Sequence, residues 1–301
     1  MISKRTKVVA KYMSFYSKYS IVLYIHKRLG IRFLGTEKLV SCWYVMTSDK
    51  KMDGKTEEGK RDDYIYREIH KYSVDPIEEW KQLLKHVLEI FKKQTIDVLS
   101  MAMDAFVDQN ISIIDFLKSN VKTVEECSLY QGNNINVNKH TAYLLDNLIV
   151  TNELNSYLLI KNVNFKGKIP KNLEELYIYN SQWIGFKRLL EIDCKNVILR
   201  KNRISDKQWN LFIKKWISME TNQNLEYLEL DYRELDKFRN RVLHDIPYEV
   251  VSEEVSRIMT CSYNETQEIN GGIDIRRIDG KTATFFVLLS EWGDNFLMCV
   301  H

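Results

Sequence analysis

Residues 205–216, SDKQWNLFIKKW, predict an amphipathic helix that must lie against a core. Ser205 followed by Gln208 is the pattern of a capping box, in which the two side chains bond to backbone N–H groups at the start of a helix. Residues 224–230, NLEYLEL, follow with the apolar alternation of a strand. One face of the helix collects large apolar side chains at helical spacing, namely Trp209, Phe212, Ile213 and Trp216.

The same alternation of strand and helix recurs from residue 95 onward. Each strand fits the frame apolar-x-x-apolar-x-apolar, and Asn162 and Asn202 follow two of the frames as they do in leucine-rich repeats. Val255 and Ile258 predict a seventh, weaker unit. The six frames are Ile96/Leu99/Met101, Val124/Cys127/Leu129, Leu154/Tyr157/Leu159, Leu173/Leu176/Ile178, Cys194/Val197/Leu199 and Leu225/Leu228/Leu230.

A strand that leaves through a helix and returns as a strand favours parallel pairing with right-handed crossovers. Such units bury a continuous core only when they stack on one another. The sequence therefore predicts an α/β fold, in the form of an irregular, leucine-rich-repeat-like curved solenoid. A small N-terminal segment of helix and strands is expected before it, and an antiparallel β end-piece after it.

The first hundred residues predict shorter elements. Asp75 can cap a helix that begins at Pro76 and carries one apolar stripe. The segment 47–63 has eleven charges and little apolar surface, so a mobile loop is predicted there. Short strands are predicted at 20–24, 31–33 and 43–46.

The C-terminal region changes character, because glycines between 271 and 293 predict turns around short strands. Strands at 283–290 and 292–299 would form the antiparallel end-piece. Charged residues before them alternate with isoleucines, which predicts either a solvated outer face of a strand or a face that engages a partner. These are Asp274, Arg276, Arg277 and Asp279, alternating with Ile273, Ile275 and Ile278.

Composition bounds the class of protein. The chain has 301 residues, 45% of them apolar and 28% charged, and a net charge of +3, as in ordinary globular proteins. Five scattered cysteines predict free thiols in a reducing compartment. The sequence has neither the apolar run of a signal peptide nor that of a membrane span. Cytoplasmic or nuclear residence without a membrane partner is expected.

Residues 1–32 carry eight basic side chains and no acidic one. A solvated basic helix explains such an arm, and so does contact with nucleic acid or anionic lipid. Nucleic-acid binding is the less favoured interpretation, because few aromatic side chains accompany the charges.

The sequence contains no motif of a catalytic, cofactor or metal site. The tripeptide Gly54-Lys55-Thr56 invites a phosphate-loop interpretation, but that motif needs Gly at position 49, where Asp stands. The six histidines have no neighbouring ligand at metal-binding spacing such as HExxH. The sequence predicts a protein that is not an enzyme and holds no cofactor.

Two stretches resemble a known family. Residues 205–230 are similar to the core of the F-box associated domain of type 2, and 271–284 to its closing segment. The resemblance is strongest over 170–285. Residues 3–11 and the strand after them resemble the last helix of an F-box and its continuation. The family motif consists of Trp209, Phe212, Trp216, Gly271, Gly272, Asp274, Arg276, Arg277, Asp279 and Gly280.

With the resemblance, three segments are predicted. Residues 1–20 form a residual F-box-like basic helix, and the N-terminal half of the F-box is expected to be missing. Residues 21–94 hold short strands, the charged loop and the amphipathic helix. Residues 95–301 form the leucine-rich-repeat-like, F-box associated region.

The resemblance implies a substrate receptor of a Skp–cullin–F-box ubiquitin ligase, which binds a target protein without catalysis. An incomplete F-box leaves a second interpretation open, a scaffold or decoy that has lost its link to the Skp-type adaptor and cullin. The identity of the target protein does not follow from the sequence.

One sheet face is the candidate surface for binding that target. If Leu176, Val197 and Leu228 point to the core, the residues between them point the other way. Tyr and Arg are frequent anchors of protein interfaces, although an ordinary solvated sheet face explains the same pattern. The predicted partner-binding residues are Tyr177, Tyr179, Arg200, Tyr227 and Glu229.

Overall fold

A computed structural model provides the fold. The predicted basic helix lies outside the described residues, apart from positions 19 and 20, and so does Trp292. The residues described are 19–35, 40–61, 64–162, 164–261, 265–289 and 293–301.

The described residues contain more strand than helix. Six α-helices are present: α1 Pro76–Phe91, α2 Asn110–Asn120, α3 Asn138–Asn147, α4 Phe186–Glu191, α5 Asp206–Ile217 and α6 Leu235–Val242. The strands are β1 Tyr19–Ile25, β2 Leu29–Gly35, β3 Val40–Thr47, β4 Thr56–Arg61, β5 Tyr64–Tyr72, β6 Thr95–Ala102, β7 Thr123–Tyr130, β8 Val150–Tyr157, β9 Leu173–Ile178, β10 Cys194–Leu199, β11 Tyr227–Asp231, β12 Glu249–Thr260, β13 Thr266–Arg276, β14 Thr282–Leu288 and β15 Asn295–Val300.

The chain divides into two units, Met1–Thr151 and Asn152–His301, with the boundary inside β8. Each unit has its own buried apolar core. The three segments predicted from the sequence, with boundaries after residues 20 and 94, stay a prediction.

In the first unit, seven of the described strands follow the order β7-β6-β1-β2-β3-β5-β4. β1, β2 and β3 pair antiparallel, as expected for strands that follow one another closely in the sequence. β5 joins β3, β6 joins β1 and β7 joins β6 in parallel. The three short strands predicted in this region are confirmed as β1, β2 and β3. β1 lies inside the sheet, because β2 and β6 pair with its two edges.

The helix predicted after residue 75 is confirmed as α1. Asp75 caps it, accepting a hydrogen bond from the backbone N–H of Glu78 at 3.1 Å, and Pro76 occupies its first turn. Trp80 and Leu84 are fully buried on its apolar stripe. The helix supplies a large part of the core of the first unit for this reason.

The predicted loop at 47–63 is wrong, because part of the segment forms strand β4. β4 pairs antiparallel with β5 and has no second neighbour among the described strands. An edge strand needs little apolar surface of its own, since the neighbouring strand satisfies half of its backbone hydrogen bonds. Charged side chains on such an edge also discourage pairing with other chains.

In the second unit, β8, β9, β10 and β11 run parallel, as the sequence predicted. Leu176 lies beside Val197, which lies beside Leu228, and all three are buried. The predicted frames therefore fit β9, β10 and β11. The frame at β8 is wrong after Leu154, because Tyr157 is exposed and the strand ends there.

Helix α5 packs on this parallel sheet. Its predicted capping box is confirmed, with Ser205 and Gln208 bonded to each other's backbone N–H. The stripe predicted for the helix is buried, and Trp209 and Phe212 line one small apolar cavity with Leu228. The side chain of Leu228 therefore points to the side of the sheet on which α5 lies.

The antiparallel end-piece is confirmed. The order β12-β13-β14-β15-β11 continues the parallel strands with antiparallel ones. The predicted seventh unit at Val255 and Ile258 is wrong, because both residues belong to β12, which pairs antiparallel with β13. They are exposed, as apolar residues of an edge strand are when nothing covers them.

The charged alternation of the end-piece is confirmed only as far as Arg276. Ile273 and Ile275 are buried, whereas Ile278 is exposed and Arg277 is buried. The chain leaves the strand at Arg276, so the two-residue period ends there. Arg277 then folds inward, where its guanidinium lies 5.0 Å from the ring centre of Trp216 and donates to the backbone oxygen of Gln223.

The first prediction concerns the buried face of α5. Trp216→Ala removes a fully buried side chain, so it should lower the free energy of unfolding by about 3–5 kcal/mol. Urea denaturation followed by circular dichroism measures this. Leu211→Ala, on the exposed side of the same helix, should cost less than about 1 kcal/mol. Equal losses for both variants would contradict the packing described for α5.

The second prediction concerns the turn between β13 and β14. Hydrogen bonds from Arg277 lower the pKa of Asp279 from 3.8 to about 2. A lowered pKa in the folded state means that the ion pair stabilises the fold above pH 3.8 and that this stabilisation is lost as the pH falls toward 2. Asp279→Asn should therefore lower the urea midpoint at neutral pH, and most of this effect should be gone near pH 2. A midpoint difference that is independent of pH would contradict this role.

Candidate protein-binding face

The parallel strands of the second unit present two faces. Leu176, Val197 and Leu228 line one of them, toward α5. Side chains alternate along a strand, so the intervening residues occupy the other face, which is called here the tyrosine face. It carries Tyr157 on β8, Tyr177 and, just after β9, Tyr179, then Arg200 after β10, and Tyr227 and Glu229 on β11.

Part of the tyrosine face is covered, which corrects the expectation that all its residues are open to a partner. Tyr227 and Glu229 are 3% and 8% exposed. Met259 of β12 and Ile269 of β13 form a buried apolar cluster with Tyr227. The alternation correctly assigns the face, but it carries no information about a later hairpin that packs over it.

Backbone irregularities accompany this covering hairpin. Gly271 and Gly272 have φ angles of +70° and +115°, which residues other than glycine rarely adopt. A change of register interrupts the pairing of β12 with β13 between Val251 and Ser256. Bulges of this kind bend a strand pair. Arg257 then donates to the Asp274 carboxylate at 2.7 Å, which ties the two strands together.

The covered residues form a satisfied polar network. Arg200 forms an ion pair with Glu229, and it donates to the side-chain oxygen of Asn295 at 2.5 Å. The hydroxyl of Tyr227 donates to the other oxygen of Glu229. Burial, and then the charge of Glu229, raise the pKa of Tyr227 well above its ordinary value. Three of the five predicted partner-binding residues are therefore brought together, as a structural cluster.

The remaining part of the tyrosine face is open. Tyr157 and Tyr179 are 36% and 39% exposed, and Tyr177 is half-buried. The rings of Tyr157 and Tyr177 lie 5.1 Å apart, and the Lys201 ammonium lies 4.2 Å from the ring centre of Tyr179. These four residues are called here the tyrosine patch. It combines aromatic area with hydroxyl groups and one cation, the chemistry of many protein interfaces.

Sequence reasoning found Tyr177 and Tyr179 but missed two members of the patch. Tyr157 was assigned to an apolar frame, and the frame is wrong at that position. Lys201 follows β10 and has a positive φ of 55°, a backbone state that no sequence period predicts. Its cation–π contact with Tyr179 depends on that geometry.

The family-motif residues build the fold and do not converge on the patch. Trp209, Phe212 and Trp216 are buried in the core. Gly280, with φ of +92°, forms the turn in which Arg277 and Asp279 pair. Asp274 holds Arg257. Arg276, at the end of β13, and Asp279 are the exposed charged residues of the motif.

The three buried thiols are unsuited to nucleophilic chemistry. All five cysteines are free, and three of them are buried. Burial raises the pKa of Cys127 and of Cys194 to about 12. Contact with the Cys261 thiol, together with burial, also raises the pKa of Cys299. Thiols in such surroundings stay protonated at neutral pH, and the thiolate is the reactive form.

Two further features of the described residues bear on function. In that part of the chain, no helix has both the length and the apolar character to cross a bilayer. One group of side chains, Glu57, Glu68 and His70 in the first unit, has ligand atoms close enough together to hold a metal ion.

Comparisons with known proteins give partial matches to this chain. A curated relative, the E3 ubiquitin-protein ligase hecw-1 of Caenorhabditis elegans, is 23% identical over 186 residues, which is 54% of this chain and 15% of that protein. The chain thus spans a small part of the length of the relative that it matches. No solved structure matches. The family model described as F-box associated matches residues 164–230. This part of the second unit, which includes β9, β10, α5 and all but the last residue of β11, is therefore similar to the F-box associated family.

Proposed function

We propose that the second unit is a target-recognition module of a ubiquitin-ligase pathway, and that it binds a target protein through the tyrosine patch without catalysing a reaction. The observation that carries the proposal is the exposed aromatic cluster on a sheet face whose remaining part is buried. Tyr157 and Tyr179 keep a large part of their surface open to solvent.

The supporting strands make the patch rigid. Tyr177 lies beside Asn155 and Ile198 in the parallel register, so its backbone is fixed on both sides. The ordered Arg200–Glu229 pair is adjacent to it along the sheet. A side chain that is held before binding loses less conformational entropy on binding, which favours affinity.

The ligase context comes from similarity. The matched family is described as F-box associated, and the relative is named as an E3 ubiquitin-protein ligase. In the pathway implied by the family resemblance, a Skp-type adaptor and a cullin would be further partners. Cytoplasmic or nuclear residence and a leucine-rich-repeat-like character of the strand–helix units belong to the same proposal.

The second candidate function is a scaffold that binds the target but no ligase component. The scaffold would bind its target through the same tyrosine patch as the ligase receptor, but it would not bind the Skp-type adaptor. A direct test of adaptor binding therefore separates the two.

The third prediction tests the patch. Tyr157→Ala combined with Tyr179→Ala should weaken target binding by about tenfold or more, because truncating an aromatic anchor typically costs 2 kcal/mol or more. Affinity purification with quantitative mass spectrometry identifies proteins lost from the double variant, and titration of one purified target then measures its Kd.

Tyr232→Ala is the matched control, since Tyr232 is 55% exposed and lies outside the patch. It should leave the Kd unchanged. Urea denaturation should show that the double variant still unfolds in one cooperative transition, with a modest loss of stability because the Tyr157–Tyr177 and Lys201–Tyr179 contacts are removed. A target whose Kd is the same for the double variant and for the wild type would contradict binding through the patch.

The fourth prediction separates the two candidate functions. Purified Skp-type adaptor should bind the whole chain and should not bind a chain that starts at Tyr19. Truncation at residue 19 spares β1, which lies between β2 and β6, whereas a cut within β1 would disrupt the sheet. Adaptor binding favours the ligase receptor. Target binding by both chains without adaptor binding favours the scaffold.

A further inference from the structure

The edge of the first unit brings together three side chains with metal-ligand chemistry. Glu57 on β4 pairs directly opposite Glu68 on β5. His70 follows two residues after Glu68, so all three side chains lie on one face of the strand pair. One ligand atom of each residue lies within 4.8 Å of the ligand atoms of the other two.

His70 is the member that an ordinary surface cluster does not explain. It is 4% exposed, and its Nε2 atom makes no hydrogen bond with any described residue. Nε2 lies 3.0 Å from Oε1 of Glu68, but the contact lacks the direction of a hydrogen bond. A buried polar atom without a partner costs about 1–3 kcal/mol, so an unsatisfied Nε2 points to a missing ligand.

The short distance between Nε2 of His70 and Oε1 of Glu68 fits two atoms that coordinate the same metal ion. Zinc binds histidine nitrogen and carboxylate oxygen at about 2.0–2.2 Å. Two such ligands at an angle of roughly 90–110° are themselves about 3.0–3.4 Å apart. The separation of Nε2 and Oε1 is 3.0 Å. The two atoms are thus placed as neighbouring ligands of one ion, and Glu57, which is exposed, can rotate to supply the third.

The backbone holds the two ligands of β5 in place. The N–H of His70 donates to the backbone oxygen of Lys55 at 2.9 Å, and its C=O accepts from Gly54 at 3.1 Å. β5 also pairs with β3 along its other edge. A site on a paired strand is more precise than one on a loop.

One cation already lies near the cluster. The guanidinium of Arg28 is 3.5 Å from Oε1 of Glu68, and its side chain is 67% exposed. An exposed ion pair of this length is weak. Arg28 therefore neutralises Glu68 in part and is free to rotate toward solvent when an ion enters.

We propose that Glu57, Glu68 and His70 bind one divalent first-row transition-metal ion, with Zn²⁺ as the best match. An imidazole favours Zn²⁺ over Mg²⁺ or Ca²⁺, and two carboxylates without a thiolate disfavour Cu⁺. Three protein ligands leave one position for water or for a group of a partner. The ion would fasten the edge strand β4 to β5. The site lies in the first unit and does not depend on the function proposed for the second.

The experiment uses the whole chain, freed of metal with a chelator and then titrated with ZnCl₂ by calorimetry. One Zn²⁺ ion should bind per chain, and the Tm should rise with the Zn²⁺ concentration, because the ion binds the folded state. Glu57→Gln should weaken binding by about tenfold or more, since even changes around metal ligands cost 10–100-fold. Glu57 is exposed, so this variant should fold like the wild type.

Glu58→Gln is the matched control, because Glu58 lies next along β4 and on its opposite face. It should bind Zn²⁺ like the wild type. Co²⁺ serves as a second probe, and its spectrum should lack a thiolate charge-transfer band, since the five free cysteines are the main competing ligands. No binding up to about 1 mM Zn²⁺, equal binding by Glu57→Gln, or a thiolate band would each overturn the proposal.

Discussion

The parallel register of β9, β10 and β11 is the constraint on which the second unit depends. Leu176, Val197 and Leu228 lie side by side in that register and are buried on the side of α5. A slip of one residue would move them to the opposite face and bring the tyrosines into the core. The apolar surface of α5 therefore fixes the positions of Tyr177 and Tyr179, although it touches the other side of the sheet.

The opposite face is divided between stability and recognition. The hairpin of β12 and β13 buries Tyr227, whose hydroxyl donates to Glu229, and Glu229 forms an ion pair with Arg200. Removing one partner of a buried pair leaves an uncompensated charge, which typically costs 3–5 kcal/mol. Substitutions in this covered part would lower the stability of the fold and would thereby also disturb binding. Tyr157 and Tyr179 of the tyrosine patch are the more exposed residues of this face, so their change should disturb the fold less.

Sequence patterns predicted the parts of this architecture that depend on local chemistry. The cap of α5, the start of α1 and the apolar frames of β9 to β11 follow from spacing alone. Features set by distant segments could not be predicted in this way. Tyr227 is buried by a hairpin that begins more than twenty residues later, β4 forms because β5 offers it an edge, and Glu57 meets His70 only through cross-strand pairing. Ile278 is exposed because β13 ends at Arg276, two residues before it.

The tyrosine face is open at β8 and β9 and closed at β11. Residue-resolved hydroxyl-radical labelling, read out by mass spectrometry on the folded chain, tests it directly. We expect rapid labelling of Tyr157 and Tyr179, and protection of Tyr227 to the level of the fully buried Trp216. Labelling of Tyr227 at the rate of Tyr179 would contradict it.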